Sequence, residues 1–330
     1  MNNFKLHDDA FSVLNTAALP KSETMLSMSS YTELKSAIDD RKISGQMLIT
    51  VCVASVISLY AKSFTENDIT KFKLAMNRLI GRYKFERKRY FFLNKVIEQY
   101  LQEMNSTDLN YLKDYCIKRV YSLINDITAK ENRIIEQSDW MINDNDAILT
   151  FSNFGLLTSP ANGMFNSILS RAVEAGKKFT VYVCETRPSL SGSRLTVYEL
   201  NKRNFETTLI PDSYAINLFC QKKINKVFCG ADTYSNDKNI IADAGALNLS
   251  FLAKQFHVPF YAFCTTECFA ENFTYNENSP RYSDDLTQIA FWGFEQIVNI
   301  GVKIINQTNE FVPATNITGI MTDSGLLKVE

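Results

Sequence analysis

The chain has 330 residues, of which 45% are hydrophobic and 22% are charged. These values are typical of a globular protein with a sizeable core and exclude a disordered or fibrous chain. The 35 Lys and Arg residues balance 36 Asp and Glu residues, so no strong overall charge draws the protein to nucleic acid or to a membrane surface. At about 150 residues per domain, the length indicates about two domains.

Cysteine and histidine usage narrows the chemistry. The seven cysteines are odd in number and lie mostly in apolar runs, unlike a disulfide framework, and no signal-peptide pattern is visible, so we expect a cytoplasmic protein. Only two histidines are present, which excludes multi-histidine metal sites and leaves little for a Ser-His-Asp triad. Chemistry therefore falls to carboxylates, hydroxyls, thiols or lysines, and we expect neither a metal nor a cofactor.

Residues 1–138 are predicted to form a helical domain, because apolar residues recur there at three- and four-residue spacing. The apolar run Met47 to Tyr60 is shorter than the ~20 residues that a membrane span needs. We predict a buried helix there and no membrane partner. The charged run Lys84 to Arg89 is interpreted as a solvated helix face rather than an anion site.

Residues 139–330 show short apolar runs that alternate with amphipathic segments, the pattern of a parallel sheet covered on both faces. We predict a Rossmann-like, doubly wound α/β domain. Ligands of such sheets bind beyond the carboxyl ends of the strands, which selects the loops at 152–163, 185–194, 211–214, 230–238 and 264–267. The predicted strands are 147–151, 179–184, 207–210, 226–229 and 258–263, and the predicted helices are 163–175, 193–203, 214–222 and 245–256.

The loop from Ser152 to Gly163 leaves the first strand and enters a helix. Its small residues and hydroxyls offer backbone N–H groups to a phosphate or carboxylate. It matches neither a dinucleotide-binding motif nor a P-loop, so a plain strand-to-helix connection is the stronger reading of the motif alone.

The loop after the second strand carries Arg187 and Arg194. Two arginines in one ligand-side loop suit the bidentate binding of an anion. They suit equally a structural pairing with Glu185 and Asp232.

Asp232 follows the fourth strand and is a candidate acid or base, although an aspartate at this position is as often a turn or cap residue. Cys264 and Cys268 are spaced C-x-x-x-C without a second cluster, which does not favour a metal site. The segment from Asn272 to Pro280 is interpreted as a flap over the site.

Four motifs in order resemble one known superfamily, which contains methylthioribose-1-phosphate isomerase, ribose-1,5-bisphosphate isomerase and the regulatory subunits of translation initiation factor 2B. The resemblance covers about 145 to 330, and a fainter one covers the turn from Asp40 to Gln46. The motifs are Tyr182 to Thr196, Cys229 to Asp232, Ala253 to Tyr261 and Ile317 to Gly325.

The resemblance implies a helical domain on a Rossmann-like domain, a homodimer, and a ligand in the cleft between the domains. The isomerases of the superfamily convert an aldose 1-phosphate to a ketose 1-phosphate with a cysteine and an aspartate. Asp232 fills the aspartate position, and Ser152 stands where the cysteine is expected. Substrate contacts are implied for Ser44, Gly45, Asn153, Gly163, Arg187, Ser191, Arg194 and Asp243.

Several of these positions depart from the superfamily pattern. Ser44 stands in place of an arginine, Ser191 in place of a glutamine, and Asp243 in place of a lysine. A serine hydroxyl is far less acidic than a thiol, whose reference pKa is near ~8.5, so Ser152 needs a partner to act as a base. A carboxylate facing a phosphate is also unfavourable, which puts the usual substrate in question.

Two hypotheses follow. The first is an aldose–ketose isomerase with an altered site, in which Asp232 moves the proton and Ser152, or a thiol such as Cys264, assists. The sequence leaves open whether the hydrogen passes from C2 to C1 as a proton or as a hydride. The second is a non-catalytic protein that binds a metabolite or supports assembly, like the initiation factor 2B subunits. The retained Asp232 favours the enzyme, and the changes at Ser44, Ser152, Ser191 and Asp243 favour the alternative.

Overall fold

A computed structural model describes residues 3–83, 90–271, 281–282 and 286–329. The charged run at 84–89 and the flap at 272–280 lie outside the described residues. The chain forms two compact units: Met1–Ile135 with Phe154–Ser167, and Glu136–Asn153 with Ile168–Glu330. The single boundary between residues 138 and 139 stays a sequence prediction, and the first unit as described also contains the segment Phe154–Ser167.

The first unit is mainly helical, as predicted, and its helices follow a three-stranded antiparallel sheet that the sequence analysis did not predict. Ser30 and Glu33 form a capping box that starts the first helix, because each side chain accepts from the other residue's backbone N–H. The elements are β1 (Phe4–Leu6), β2 (Phe11–Leu14), β3 (Met25–Met28), α1 (Tyr31–Asp39), α2 (Gln46–Ser63), α3 (Ile69–Gly81), α4 (Phe91–Glu103) and α5 (Leu109–Gln137).

Helix α2 is the core of this unit. It is apolar all round, and Leu48, Val51, Cys52 and Ile57 are fully buried. Among the described residues it is the one helix long and apolar enough to cross a membrane, yet 78% of it is buried inside the protein. Core helices of soluble proteins have the same composition, so these contacts agree with the predicted buried helix.

The second unit contains a seven-stranded sheet in the order β16-β15-β10-β7-β4-β5-β6. Its strands are β4 (Asp146–Thr150), β5 (Phe179–Cys184), β6 (Thr207–Ile210), β7 (Lys226–Gly230), β10 (Phe260–Phe263), β15 (Gly319–Thr322) and β16 (Gly325–Lys328). All neighbours are parallel except β15 and β16. The helices are α6 (Met164–Glu174), α7 (Val197–Lys202), α8 (Ala215–Cys220), α9 (Ala246–Gln255) and α10 (Thr287–Ala290).

Two smaller sheets complete the unit. A four-stranded sheet has the order β11-β14-β9-β8, and β12 pairs with β13. Their bounds are β8 (Thr233–Tyr234), β9 (Ile240–Asp243), β11 (Arg281–Tyr282), β12 (Phe291–Trp292), β13 (Glu295–Gln296) and β14 (Gln307–Val312).

The strand order confirms the predicted fold class. Starting from β4, the chain first adds β5 and β6 on one side and then returns to add β7, β10 and β15 on the other. This is the order of a doubly wound Rossmann sheet, and its direction reverses between β4 and β7. Ligands of such sheets bind where the direction reverses, because the connections diverge there and leave a crevice at the carboxyl ends.

Candidate functional site

Ser152 and Asp232 both lie at the point where the strand order reverses. Strands β4 and β7 are parallel neighbours, with Thr150 opposite Phe228. Ser152 and Asp232 each stand two residues beyond the end of their own strand. Both residues therefore lie at the carboxyl edge of the sheet, where ligands of such folds bind, and contact of either loop with a ligand stays a prediction.

The backbone around Ser152 is held by two threonines. Ser152 has a φ of +61°, in the left-handed region that few non-glycine residues adopt. Its N–H donates to the Thr186 hydroxyl at 2.7 Å, and its carbonyl accepts from the Thr196 hydroxyl. Such a conformation persists only when its surroundings impose it, so Ser152 is fixed in its orientation.

The side chain of Ser152 has a defined partner. Its hydroxyl donates to the Oδ2 atom of Asp243, and Ser152 is 8% exposed. Asp243 is the last residue of β9, opposite Asn309 of β14. Two of the predicted site residues are thus joined directly, although 91 positions separate them in sequence.

Other carboxylates lie near this pair. Burial raises the pKa of the Cys229 thiol, and the negative charges of Asp243, Asp232 and Glu310 raise it further. Burial, together with the charge of Asp243, also raises the pKa of Glu310. The surroundings therefore keep Cys229 protonated, which disfavours a role for it as a thiolate.

Glu310 occupies the amino end of helix α9. Its Oε1 accepts from the backbone N–H groups of Gly245 and Leu247, at 2.8 and 2.5 Å. These N–H groups belong to the first turn of the helix, where a phosphate would otherwise find donors. The protein's own carboxylate fills that position.

Asn153 directs its amide nitrogen into the protein. The amide donates to the Thr196 hydroxyl at 3.1 Å and to the Glu199 carboxylate at 3.4 Å, and Glu199 is only 3% exposed. Contact of Asn153 with a substrate stays a prediction.

The loop that carries the two arginines is also tied down internally. Asp212 accepts from the backbone N–H groups of Thr186 and Arg187, at 2.8 and 2.6 Å. The Arg187 guanidinium lies 3.8 Å from the Glu185 carboxylate and 5.5 Å from the centre of the Trp292 ring. Of the two readings of Arg187, the pairing with Glu185 is present, and binding of an anion stays a prediction.

Arg194 lies in a single π-helical turn, Gly192–Thr196, and its backbone N–H donates to Leu190. Glycine is required at 192, because a Cβ atom there would lie 1.9 Å from the Cys184 carbonyl oxygen. Ser191 accepts from the Ser189 hydroxyl at 3.1 Å. Substrate contacts of Arg194 and Ser191 stay predictions.

Three of the predicted substrate contacts belong to the first unit. The Ser44 hydroxyl lies 3.4 Å from that of Thr16, and Gly45 precedes the first residue of α2. The Gly163 N–H donates to the Glu131 carboxylate at 3.0 Å, and burial raises the pKa of Glu131 to about 7. The Gly163 N–H, predicted to contact a ligand, thus already has a carboxylate partner within the protein. That these residues line one cleft together with the site residues of the second unit stays a prediction.

Two further possibilities, catalytic assistance by the Cys264 thiol and a metal site, gain no support from the described residues. The pKa of Cys264 is raised well above its ordinary value by its hydrogen bond with Cys268 and by burial. All seven cysteines are free thiols. Within the described ranges, no group of three or more His, Cys, Asp or Glu residues is arranged to hold a metal ion.

Five side chains that hold the loops of the candidate site were not predicted from the sequence. Thr186 and Thr196 orient Ser152, while Asp212, Glu131 and Glu310 occupy backbone donors of the ligand-side loops. No linear signal marks these side chains, because each reaches its partner from another element.

Comparisons with known proteins identify similar chains. The model of the Initiation factor 2 subunit family matches residues 42–329. Methylthioribose-1-phosphate isomerase of Natranaerobius thermophilus is 28% identical over 98% of this chain and 94% of its own length. The protein of the same name from Caldicellulosiruptor saccharolyticus is 27% identical over 99% of this chain and 96% of its own.

Solved structures share the fold. The 5-methylthioribose 1-phosphate isomerase from Pyrococcus horikoshii OT3 matches with a TM-score of 0.86 at 20% identity, covering 99% of this chain and 92% of that one. The translation initiation factor eIF-2B, subunit delta, from A. fulgidus matches with a TM-score of 0.83 at 24% identity, covering 99% and 96%. One fold therefore carries proteins named for catalysis and for translation.

Proposed function

Because the chain belongs to the Initiation factor 2 subunit family, we propose that it is an aldose–ketose isomerase with an altered site, acting on a sugar or sugar phosphate. The observation that carries the proposal is the position of Ser152 and Asp232 beyond neighbouring strands, where the strand order reverses. A hydroxyl and a carboxylate at this position suit proton transfer between adjacent carbons of a ring-opened sugar.

The reaction moves one hydrogen from C2 to C1 and converts an aldehyde to a ketone, an intramolecular oxidation and reduction. Asp232 exchanges a proton with the substrate oxygens, donating to O1 as the enediol forms and accepting from O2 as it collapses. Ser152 lies just beyond the neighbouring strand, and we assign it to the carbon atoms. No external oxidant or reductant is needed, because the two carbons exchange oxidation states.

The names of the relatives suggest a sugar 1-phosphate as substrate. Arg187 and Arg194 are the cations that we assign to such an anion. Asp243 and Glu310 oppose it, because both are acidic and Glu310 already caps α9. The substrate class therefore includes the unphosphorylated sugar, because the carboxylates of Asp243 and Glu310 suit hydrogen bonds from sugar hydroxyls.

We also propose a homodimer. The segment 286–305 exposes large apolar side chains, among them Phe294 and Ile300, which are fully or nearly fully exposed. Exposed apolar groups in such density are typical of an interaction surface, and a second copy is the partner that the resemblance suggests. Light scattering checks this, and Phe294→Asp shifts the mass toward the monomer if the surface joins two copies.

The second candidate is a non-catalytic, eIF-2B-like protein that binds a metabolite or supports assembly. It is favoured by the internal use of the backbone donors, since Glu131, Asp212 and Glu310 occupy N–H groups that a phosphate would require. This candidate predicts that the protein binds a metabolite without converting it, or that it neither binds nor converts one.

The deciding experiment follows the sugar by NMR. Purified protein is incubated with 5-methylthioribose 1-phosphate and, separately, with free 5-methylthioribose, and the appearance of the ketose is recorded. Asp232→Asn is the test variant and Asp139→Asn, which alters an exposed carboxylate paired with Arg171, is the matched control. Conversion that Asp139→Asn retains and Asp232→Asn loses supports the isomerase; no conversion of either sugar favours the second candidate.

A further inference from the structure

Ser152 has the geometry of an activated hydroxyl, and the activating group is Asp243. The hydroxyl donates to Oδ2 of Asp243, so its proton points at the carboxylate and a lone pair of Oγ is available to accept from elsewhere. The left-handed backbone of Ser152, held by Thr186 and Thr196, fixes the direction in which its side chain leaves the main chain. The pair is therefore arranged before any substrate arrives.

We propose that Asp243 is a positioning and proton-accepting residue that acts through Ser152 in the isomerisation. This inference rests on the proposed function and extends it. The two positions at which the chain departs from the superfamily pattern, serine for cysteine and aspartate for lysine, are joined by one hydrogen bond. A serine alone is too weakly acidic to exchange protons with carbon, and an adjacent carboxylate supplies the basicity that it lacks.

The proton transfers balance as follows. Ser152 Oγ takes the proton from C2 while its own proton moves to Asp243, and the C2–H electron pair forms the C1–C2 double bond of the enediol. Asp232 gives its proton to O1 in the same step. In the second step Asp232 recovers a proton from the O2 hydroxyl, Ser152 delivers its proton to C1, and Asp243 returns a proton to Ser152. No atom or electron is left over.

Several charged or titratable groups surround Asp243. Besides burial, the charge of Asp243 raises the pKa of Glu310 on β14, and the charges of Asp243 and Asp232 raise that of Cys229 on β7. These groups are the titratable neighbours of the Ser152–Asp243 hydrogen bond.

The test is a double-mutant cycle on turnover of the sugar converted in the NMR assay. Ser152→Ala and Asp243→Asn are each expected to lower kcat by 100-fold or more with KM changed less than threefold. The double variant is expected to be no slower than Ser152→Ala alone, because Asp243 acts only through the hydroxyl. Asp139→Asn is carried as the control and retains wild-type kcat.

Repeating the Asp243→Asn substitution in a Ser152→Cys protein makes the cycle specific to proton transfer. In Ser152→Cys the thiol is far more acidic than the hydroxyl and depends less on a neighbouring base, so adding Asp243→Asn is expected to lower kcat by less than tenfold. Asp243→Glu, which keeps the carboxylate, supplies the comparison if Asp243→Asn fails to fold, and is expected to retain more activity than Ser152→Ala.

The outcomes separate the two proposals. Multiplying effects in the cycle, or a change in KM alone, overturns the role of Asp243 and leaves the isomerase intact. A wild-type protein that converts neither 5-methylthioribose 1-phosphate nor 5-methylthioribose overturns the proposed function, and the inference falls with it.

Discussion

The two ends of the same strand pair, β4 and β7, are built in opposite ways. At the amino end, the Asp146 carboxylate binds the Lys226 ammonium and accepts from Asn225 at 2.9 Å, and the side chains of Asp146 and Lys226 are only 7% and 13% exposed. At the carboxyl end, Ser152 and Asp232 lie near the acidic groups of Asp243 and Glu310. The amino end matches opposite charges, whereas the carboxyl end gathers like charges at some expense of stability, the arrangement expected of a site that acts on a ligand.

Lys226→Met tests the amino end and carries the largest expected effect. The substitution leaves Asp146 charged, buried and without its cation, which costs about 3–5 kcal/mol of unfolding free energy. Urea unfolding followed by circular dichroism at pH 7 measures the loss. Adding Asp146→Asn is expected to recover part of it, and a loss below about 1 kcal/mol in the single variant contradicts a structural role for this end.

Asp232→Asn tests the carboxyl end and is expected to separate activity from stability. Turnover falls by about 100-fold or more because a proton donor is removed, while the unfolding free energy changes by less than about 1 kcal/mol. NMR kinetics and urea unfolding on the same preparation give both numbers. A large loss of stability with unchanged turnover would make Asp232 a structural residue like Asp146.

Glu131→Gln extends the comparison to the first unit. Burial raises the pKa of Glu131 from 4.5 to about 7 in the folded protein. The folded state therefore holds this proton more tightly than the unfolded state, so the contribution to stability is complete below the unfolded pKa and is lost as the pH rises to about 7. The span is about 3 kcal/mol at most.

The measurement for Glu131 is the unfolding free energy across pH 4 to 8. Glutamine carries no charge at any of these pH values and keeps an oxygen for the Gly163 N–H. The variant is expected to lose less stability than the wild type over that range. Parallel curves for the two proteins would mean that Glu131 ionises at its ordinary pKa.

Asp139→Asn carries the smallest expected effect and calibrates the others. Asp139 pairs with Arg171 in two contacts, but 41% and 51% of the two side chains are exposed. Exposed pairs contribute about 0–1 kcal/mol. Thermal unfolding in low and high salt checks this, and a larger loss would show that surface pairs in this protein cannot serve as neutral controls.

The sequence was most informative where apolar runs are short and continuous. The strands β4, β5, β6 and β7 begin and end within about one residue of prediction, since buried parallel strands carry little besides apolar and β-branched residues. The sheet of β1 to β3 was not predicted because three- and four-residue strands give too short a pattern. The local hydrophobic pattern predicts the fold class, but it does not predict the order of the strands in the sheet.

The site was predictable only in part. Asp232 was singled out because it follows a recognisable strand, and Ser152 because the resemblance expects a cysteine at its position; their catalytic roles stay predictions. The bond between Ser152 and Asp243 was not predicted, because Asp243 lies on a short antiparallel strand whose position depends on pairing with β14. Contacts between distant elements are set by packing of the whole unit, which a linear pattern does not encode.

The segment Phe154–Ser167 has a consequence for synthesis of the chain. Within the first unit, Asn3 donates to the carbonyls of Leu156 and Ser159, at 2.6 and 2.7 Å, and Glu131 binds the Gly163 N–H. These partners leave the ribosome only after β4 of the second unit has been made. The amino-terminal unit therefore cannot finish folding as an independent early domain, and a fragment ending at residue 138 would expose two sets of unsatisfied buried groups to chaperones and proteases.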